Sequence, residues 1–285
     1  MAEISAAQVK ALRDKTDAGM MDCKRVLVEA GGDPQKALEL LRERGLSKAR
    51  GKAGRSTSEG CIVASVSPDG RVAALVEVNC ETDFVARTDK FEGLCRALAE
   101  QVRDHSPADV DALLALPLGD GTVQARVVEE IAALGENIQV RRLERLEAAE
   151  AGLIGSYIHA GGKIGTLVQV EADDPDKPEV RKVAHNLGMH VAATSPLGVS
   201  RNDIPAEDVE RERAVIRKQT ESEGKPENVV EKIVAGRLNK FFKEVVLLEE
   251  QLVMDPDRTV EAVVKEVGVR VIGFRRFQLG EELDA

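Results

Sequence analysis

Histidine, cysteine, lysine and the many carboxylates are the residues of this chain that could do chemistry, and their spacing argues against most of it. His185 and His190 stand five apart, whereas two metal ligands on one helical face need a separation of about four. His105 and His159 have no histidine near them in sequence. Cys23, Cys61, Cys80 and Cys95 form no CxxC pair, the pattern of a zinc site or a thiol–disulfide couple. Gly161-Gly162-Lys163-Ile164 is the nearest approach to a phosphate loop, but Ile164 stands where a Mg²⁺-binding hydroxyl is required and the glycine spacing is wrong. The stretch from Ala160 to Gly165 also lacks the first glycine of a dinucleotide fingerprint. Neither GxSxG nor HExxH occurs, and the carboxylates are spread over helix faces as solvation. The expectation is a protein that works by binding, without catalysis, cofactor or metal of its own.

Composition narrows the partners. The 285 residues are 43% hydrophobic and 32% charged, enough apolar material for real cores, and their length suggests two or three compact units. A net charge of −10 disfavours a generic coat for DNA or RNA, whose affinity rests on neutralising phosphates, and direct nucleic-acid binding is not expected. Aromatic residues make up only 2%, with no Trp, so base-stacking platforms are not expected either. No uncharged apolar run approaches the ~18 residues of a membrane span. The opening MAEISAAQVK has neither the basic start nor the apolar run of a secretion signal. A cytoplasmic protein with reduced thiols is expected.

The elements that would position a binding surface read as α+β. Residues 1–46 predict three short helices. Ser5-x-x-Gln8 is a capping box for the first, Gly31-Gly32 ends the second, Asp33-Pro34 starts the third and Gly45 ends it. Leu12, Val26, Leu27, Ala37, Leu38 and Leu41 can form one small core, marginal on its own, which suggests a docking module on a larger body. Residues 47–58, with Lys48, Arg50, Lys52 and Arg55 among Ala, Gly and Ser, read as a basic linker. It is either a solvated hinge, which the acidity of the chain favours, or a tether touching RNA.

An internal repeat follows. Residues 60–78 align with 152–170 without a gap, and Gly60, Gly70, Leu75, Val76 and Val78 recur as Gly152, Gly162, Leu167, Val168 and Val170. Each copy reads as a β-hairpin, with β-branched runs around Pro-Asp-Gly or Ala-Gly-Gly, and each is followed by an amphipathic helix. Phe91, Leu94, Cys95, Leu98 and Val102 share a face of the first helix, and Val180, Val183, Ala184, Leu187 and Val191 of the second. The first core half is assigned to 59–146, with a further helix at 123–134. The second is assigned to 147–285. It carries an inserted helical hairpin at about 205–238, read as helices at 207–221 and from 227 to about 238 around a 223–226 turn. Its end is a helix and strand at 260–277. Pairing of thin apolar seams makes the inserted segment a projecting appendage, either solvated or a partner surface.

The copies differ in kind at one place. After the first hairpin comes Asn79-Cys80-Glu81-Thr82-Asp83-Phe84-Val85-Ala86-Arg87, where the second copy has Glu171-Ala172-Asp173-Asp174-Pro175 and no aromatic. On residue chemistry alone Phe84 is more simply a plug for the strand–helix junction. The alternative is an exposed Phe–Asp wedge for insertion into a partner.

Two stretches carry a resemblance: Thr16-Asp17-Ala18-Gly19-Met20-Met21-Asp22-Cys23-Lys24 and Glu77-Val78-Asn79-Cys80-Glu81-Thr82-Asp83-Phe84-Val85-Ala86. With Gly135-Glu-Asn-Ile, Met189-His-Val-Ala-Ala193, Gly236-Arg237 and Arg276-Phe277 in the same order, the chain resembles the translation elongation factor Ts family. Asp17 departs from it, standing where the family usually has Gly. The resemblance implies a guanine nucleotide exchange factor that binds elongation factor Tu, both GDP-bound and nucleotide-free, and has no nucleotide site of its own. Thr82, Asp83, Phe84 and Val85 match the family's wedge, which disturbs the Mg²⁺ site of the partner. The first module then resembles a ubiquitin-associated-type fold, with Arg13, Met20, Met21 and Lys24 at contact positions. His159, Val253 and Met254 match contacts of the second half, and a dimer of heterodimers is compatible with the family. A ubiquitin-type adaptor, with its affinity in 1–45, would leave the duplicated core unexplained. An RNA-associated protein using the 48–55 run would require steep salt dependence.

Overall fold

In a computed structural model of the chain, residues 4–16, 18–222 and 226–283 are described. Asp17 and residues 223–225 of the expected hairpin turn lie outside them. The capping box forms: the Gln8 amide donates to Ser5 Oγ (3.3 Å), and the Ser5 amide to Gln8 Oε1 (2.9 Å). Helices α1 (Ala6–Thr16), α2 (Met20–Glu29) and α3 (Pro34–Lys52) pack around Val9, Leu12, Cys23, Val26, Leu27 and Ala37. Asp33 caps α3 by accepting from the Gln35 and Lys36 amides at 2.8 and 3.2 Å, with Pro34 in the first turn where its missing N–H costs nothing. Leu41 packs at the edge of this core, whereas Leu38 lines an open cleft beside it.

The first copy runs through β1 (Glu59–Val66), β2 (Val72–Cys80), α4 (Asp83–Ala86), α5 (Asp89–His105), α6 (Val110–Ala115), the short β3 (Pro117–Leu118) and β4 (Gly121–Thr122), α7 (Val123–Leu134) and β5 (Ile138–Glu147). The second begins with β6 (Gly152–Ile158), β7 (Ile164–Ala172) and α8 (Pro178–Thr194). Helices α9 (Ala206–Glu221) and α10 (Glu227–Val245) are followed by β8 (Gln251–Leu252), β9 (Asp255–Thr259), α11 (Val260–Val267) and β10 (Val269–Gln278). The fold is α+β, as the pattern predicts. None of the described helices is long and apolar enough to cross a membrane.

Duplication goes deeper than the hairpins. The two sheets have the orders β1-β2-β5 and β6-β7-β10, all antiparallel, so each hairpin gains a third strand in the same place. β5 has no counterpart in the sequence reading, because its Arg-Arg-Leu-Glu-Arg-Leu-Glu run is charged and only half-buried. Helix α5 buries Phe91, Leu94, Cys95, Leu98 and Val102 against the first sheet. Helix α8 buries Val180, Val183, Ala184, Leu187 and Val191 against the second.

The copies also grip each other symmetrically. The Ile62 amide donates to the Gly162 carbonyl (2.7 Å), and the Ile154 amide to the Gly70 carbonyl (2.8 Å). Both pairs join equivalent positions of the repeat, so each hairpin tip bonds the first strand of the other copy, the self-complementary pattern of a two-fold interface. Gly70 and Gly162 sit at φ +77° and +67°, a region only glycine enters without strain. Ile62, Ala73, Leu75, Ile154, Leu167 and Phe277 fill the joint.

Two boundaries differ from expectation. Gly45 does not end the third helix, and residues 47–52 of the supposed linker are its last turns. The helix persists because Gly45 is buried against α7. A Cβ there would lie 3.6 Å from Val128 Cγ1 and 3.8 Å from Ala132 Cβ, ordinary contact distances. The basic residues are largely used inside the chain: Lys48 pairs with Asp22 (2.9 Å), Lys52 bonds the Gly135 carbonyl and Arg55 reaches Glu81 (3.4 Å). That leaves little of the RNA tether. Gly45→Ala should therefore raise stability by about 0.5–1 kcal/mol through helix propensity, and a lowered midpoint in a thermal melt would show that the α3–α7 contact needs the bare backbone.

The second difference is α10, which runs past Leu238 to Val245. Phe242 and Val246 join Ile204, Ile216, Val230, Val234 and Leu238 in a separate small core, and the Arg201 guanidinium covers the Phe242 ring at 4.4 Å.

Candidate functional site

The Thr82 turn is built to hold one side chain out. Thr82 caps the single-turn α4, its Oγ1 accepting from the Val85 amide (3.4 Å). Asp83 pairs with Arg87 one turn on (2.9 Å). Val85 points into the first-copy core, which makes it the anchor of the turn rather than part of its outer surface. Phe84 is the opposite: 82% of its surface is in solvent. Exposure of a lone Phe to this degree forgoes the burial that would stabilise a plug by roughly 1.5–3 kcal/mol. The plug reading of Phe84 is wrong, and the aromatic stands free.

A second loop pins the turn from behind. Glu136 accepts from the Thr82 amide (3.0 Å) and from Thr82 Oγ1 (2.6 Å), while Glu81 accepts from the Asn137 amide (2.6 Å). Each loop thus lends the other a carboxylate for a backbone N–H. The Asn137 amide foremost, with Arg55, holds the Glu81 carboxyl below its ordinary range. Beneath the turn, the Cys80 thiol donates to the Thr82 carbonyl (3.2 Å); burial, and then the Glu136 charge, push its pKa up to about 12, so it stays a neutral thiol.

Further back along β2, Glu77 is fully buried and joins the copies. Its carboxylate accepts from Arg141 Nη1 (3.0 Å), Arg142 Nε (2.6 Å) and the Gly280 amide (2.9 Å). Two successive arginines reach one carboxylate because the β2–β5 register shifts at Glu77, leaving Arg141 as the extra residue of a bulge. Arg142 also bonds Glu281 (2.7 Å) and covers the Phe277 ring (3.9 Å), so the segment after β10 is tied to the strand that carries the Thr82 turn. Glu136 stands in the Gly135-Glu-Asn-Ile stretch of the resemblance but with no contact assigned, and Glu281 is not singled out at all, since nothing in the sequence marks a contact across so many residues.

The remaining expected positions lie on other elements. Met20 and Met21 are 55% and 65% exposed in the first turn of α2, and Lys24 is exposed one turn on, while Cys23, Val26 and Leu27 of the same helix are buried. Arg13 is exposed on α1. His159 sits in the β6–β7 turn with its Nδ1 3.0 Å from the Tyr157 hydroxyl, and Tyr157 in turn meets His185 edge-on. Val253 and Met254 are exposed in the β8–β9 turn, next to the buried Leu252. Mechanically the arrangement offers a fixed aromatic projection, with apolar side chains displayed elsewhere.

Comparison with known proteins agrees with the motif reading. A family model described as Elongation factor TS matches residues 81–281, which includes the Thr82 turn, α8 and the β8–β9 turn. An elongation factor Ts of Thiobacillus denitrificans is 47% identical, over 100% of this chain and 94% of its own length. One from Desulfovibrio desulfuricans is 45% identical, over 99% of this chain and 100% of its own. Another, from Lactiplantibacillus plantarum, is 45% identical over 100% and 94%. With that much of the sequence accounted for on both sides of the exposed phenylalanine, the chain belongs to the elongation factor Ts family of translation elongation factors.

Proposed function

We propose that the chain is a guanine nucleotide exchange factor for elongation factor Tu, acting in the cytoplasm during protein biosynthesis without chemistry of its own. The observation that carries this reading is Phe84, exposed on a turn that Glu136, Cys80 and buried Val85 hold in place. Inserted into the nucleotide domain of Tu, Phe84 and Asp83 are incompatible with the packing that holds Mg²⁺ against GDP. Mg²⁺ bridges and neutralises phosphate oxygens, so its loss weakens GDP retention. Arg13, Met20, Met21 and Lys24 dock the first module, with methionines adapting to the partner surface. His159, Val253 and Met254 provide the contacts of the second half.

Thermodynamics constrains the mechanism. The chain and GDP must each weaken the binding of the other to Tu by the same factor. A factor with equal affinity for both Tu states would shift nothing, so the surface must prefer the shape with the disrupted Mg²⁺ site. Release of a fluorescent GDP from Tu should accelerate as the protein is titrated in and then saturate, while the protein alone binds no GDP. A release rate flat across the titration would refute the reading.

The α9–α10 hairpin is peripheral to this activity. Its helices pack mainly on each other and on the Leu247–Glu249 turn, around their own apolar core. Replacing residues 213–233 by a short Gly/Ser turn, which spares the Phe242 and Val246 base, should leave most of the exchange rate. A trimmed protein that folds but releases no GDP would make the hairpin part of the active surface.

A further inference from the structure

Within α8, His190 is wholly buried, yet it touches no part of the Thr82 site. Its Nε2 lies 2.6 Å from Glu250 Oε2, and the Val253 amide donates to its Nδ1 at 3.2 Å. Because a backbone N–H can only donate, Nδ1 must be the lone-pair nitrogen; Nε2 then carries the hydrogen and donates a hydrogen bond to the Glu250 carboxylate. Glu250 is held at both ends of its own backbone, its amide to Val246 (3.1 Å) and its carbonyl to the Val260 amide (3.0 Å). The segment 251–259 therefore closes on a fixed base, and His190 reaches through that base to a single residue of the loop. At that residue the chain alternates: Leu252 is buried in the second-copy core, and Val253 and Met254 are exposed at 50% and 43%.

We propose that His190 is a positioning residue for partner docking: by accepting the Val253 amide it fixes the orientation in which Val253 and Met254 meet an apolar surface of Tu. This rests on the reading of those two residues as contacts. A buried aliphatic residue would fill the same space but leave the Val253 amide and the Glu250 carboxylate without a partner. The imidazole satisfies the amide and one oxygen of the carboxylate, Oε2, and sets the turn at a definite angle, the pre-organisation that spares ordering cost on binding.

Asparagine and glutamine separate the two bonds. Asn places its Oδ1 near the position of Nδ1 and can still accept from Val253; Gln places its Nε2 near that of the imidazole Nε2 and keeps only the Glu250 bond. In titrations of GDP release from Tu with the full-length chain, His190→Gln should raise the half-saturating concentration about tenfold, the size of one lost hydrogen bond. The maximal rate should stay unchanged, since Phe84 is untouched. His190→Asn should stay within about twofold, although thermal melts of both variants fall together. Equal half-saturation for both variants would overturn the proposal, as would a loss that follows the melting temperature in both. Val253→Asp with Met254→Asp is the control on the underlying reading. If that double variant weakens docking and His190→Gln does not, the role of His190 alone fails; if the double variant docks normally, the contact assignment fails and the proposal with it. Hydrogen exchange on the unmodified protein adds a readout that needs no variant to fold: the Val253 amide should be protected, and rapid exchange there would overturn the proposal.

Discussion

Phe84→Ala should slow GDP release from elongation factor Tu by about thirtyfold or more, the penalty for truncating an aromatic hot spot worth at least ~2 kcal/mol, while barely moving the thermal melt. The two halves of this expectation have different sources. Stability should change by no more than about 0.5 kcal/mol because the ring is already in solvent and its removal opens no cavity. Under the proposed wedge role, exchange should fall because the contact that favours the Mg²⁺-free shape of Tu is lost, and Tu binding should weaken only in part, since the proposed contacts on α2 and in the β8–β9 turn remain. Asp83→Ala should behave in the same direction but more mildly: it loses the Arg87 pair at a site open to solvent, while Thr82 keeps the cap. A Phe84→Ala protein that melts far lower, yet exchanges normally while folded, would place the mechanism elsewhere.

Glu77→Ala should do the reverse, with its main effect on folding. Removing the carboxylate takes the buried partner from two arginine guanidinium groups, which keep their bonds to the segment after β10, and from the Gly280 amide at the joint of the copies. Breaking a buried ion pair by deleting one partner costs about 3–5 kcal/mol, against a total stability of roughly 5–15 kcal/mol. A fall in melting temperature of roughly 10 °C is expected, and Glu77→Gln should fall less because it keeps the shape and one acceptor. The same residue makes stability sensitive to acid. Burial works to raise its pKa, but the Gly280 amide, Arg141 and Arg142 together hold it below the ordinary glutamate value. A carboxylate whose pKa is depressed in the folded state adds stability above its unfolded value and loses it as the pH falls through the folded one. Wild-type stability from denaturant titrations should therefore drop as the pH falls below about 4.3, and Glu77→Gln should flatten that drop. Equal acid sensitivity in both proteins would remove Glu77 as its source.

How far the sequence disclosed this molecule depended on whether the deciding contact was local. The Ser5 and Asp33 caps, the α7 and α11 boundaries and the core faces of α5 and α8 follow from spacings within one or two turns, and these were legible. The repeat was legible in its hairpins because β-branched runs and glycine turns repeat. Its third strand was hidden in β5, where charge on a half-buried edge masks the alternation. Gly45 misled because a glycine in a helical pattern often signals an end, whereas here the helix continues through it and packs on α7. At the candidate site, the family resemblance pointed to Thr82 to Val85, but residue chemistry alone could not say which side chain of a one-turn helix faces out. That depends on Val85 finding the core and on Glu136 holding Thr82 across the fold. The buried His190–Glu250 pair was legible only as a motif, Met189-His-Val-Ala-Ala193, without its partner.

The central claim is that binding of this chain and retention of GDP by Tu oppose each other through Phe84. The most direct measurement is the affinity of the wild-type protein for nucleotide-free Tu and for Mg²⁺–GDP-loaded Tu, by calorimetry, alongside the same pair for Phe84→Ala. The account predicts that the wild type binds nucleotide-free Tu much more tightly, by the same factor with which it weakens GDP, and that Phe84→Ala narrows this gap mainly by losing affinity for the nucleotide-free form. Equal wild-type affinity for both forms of Tu, or a gap unchanged by the substitution, would contradict it.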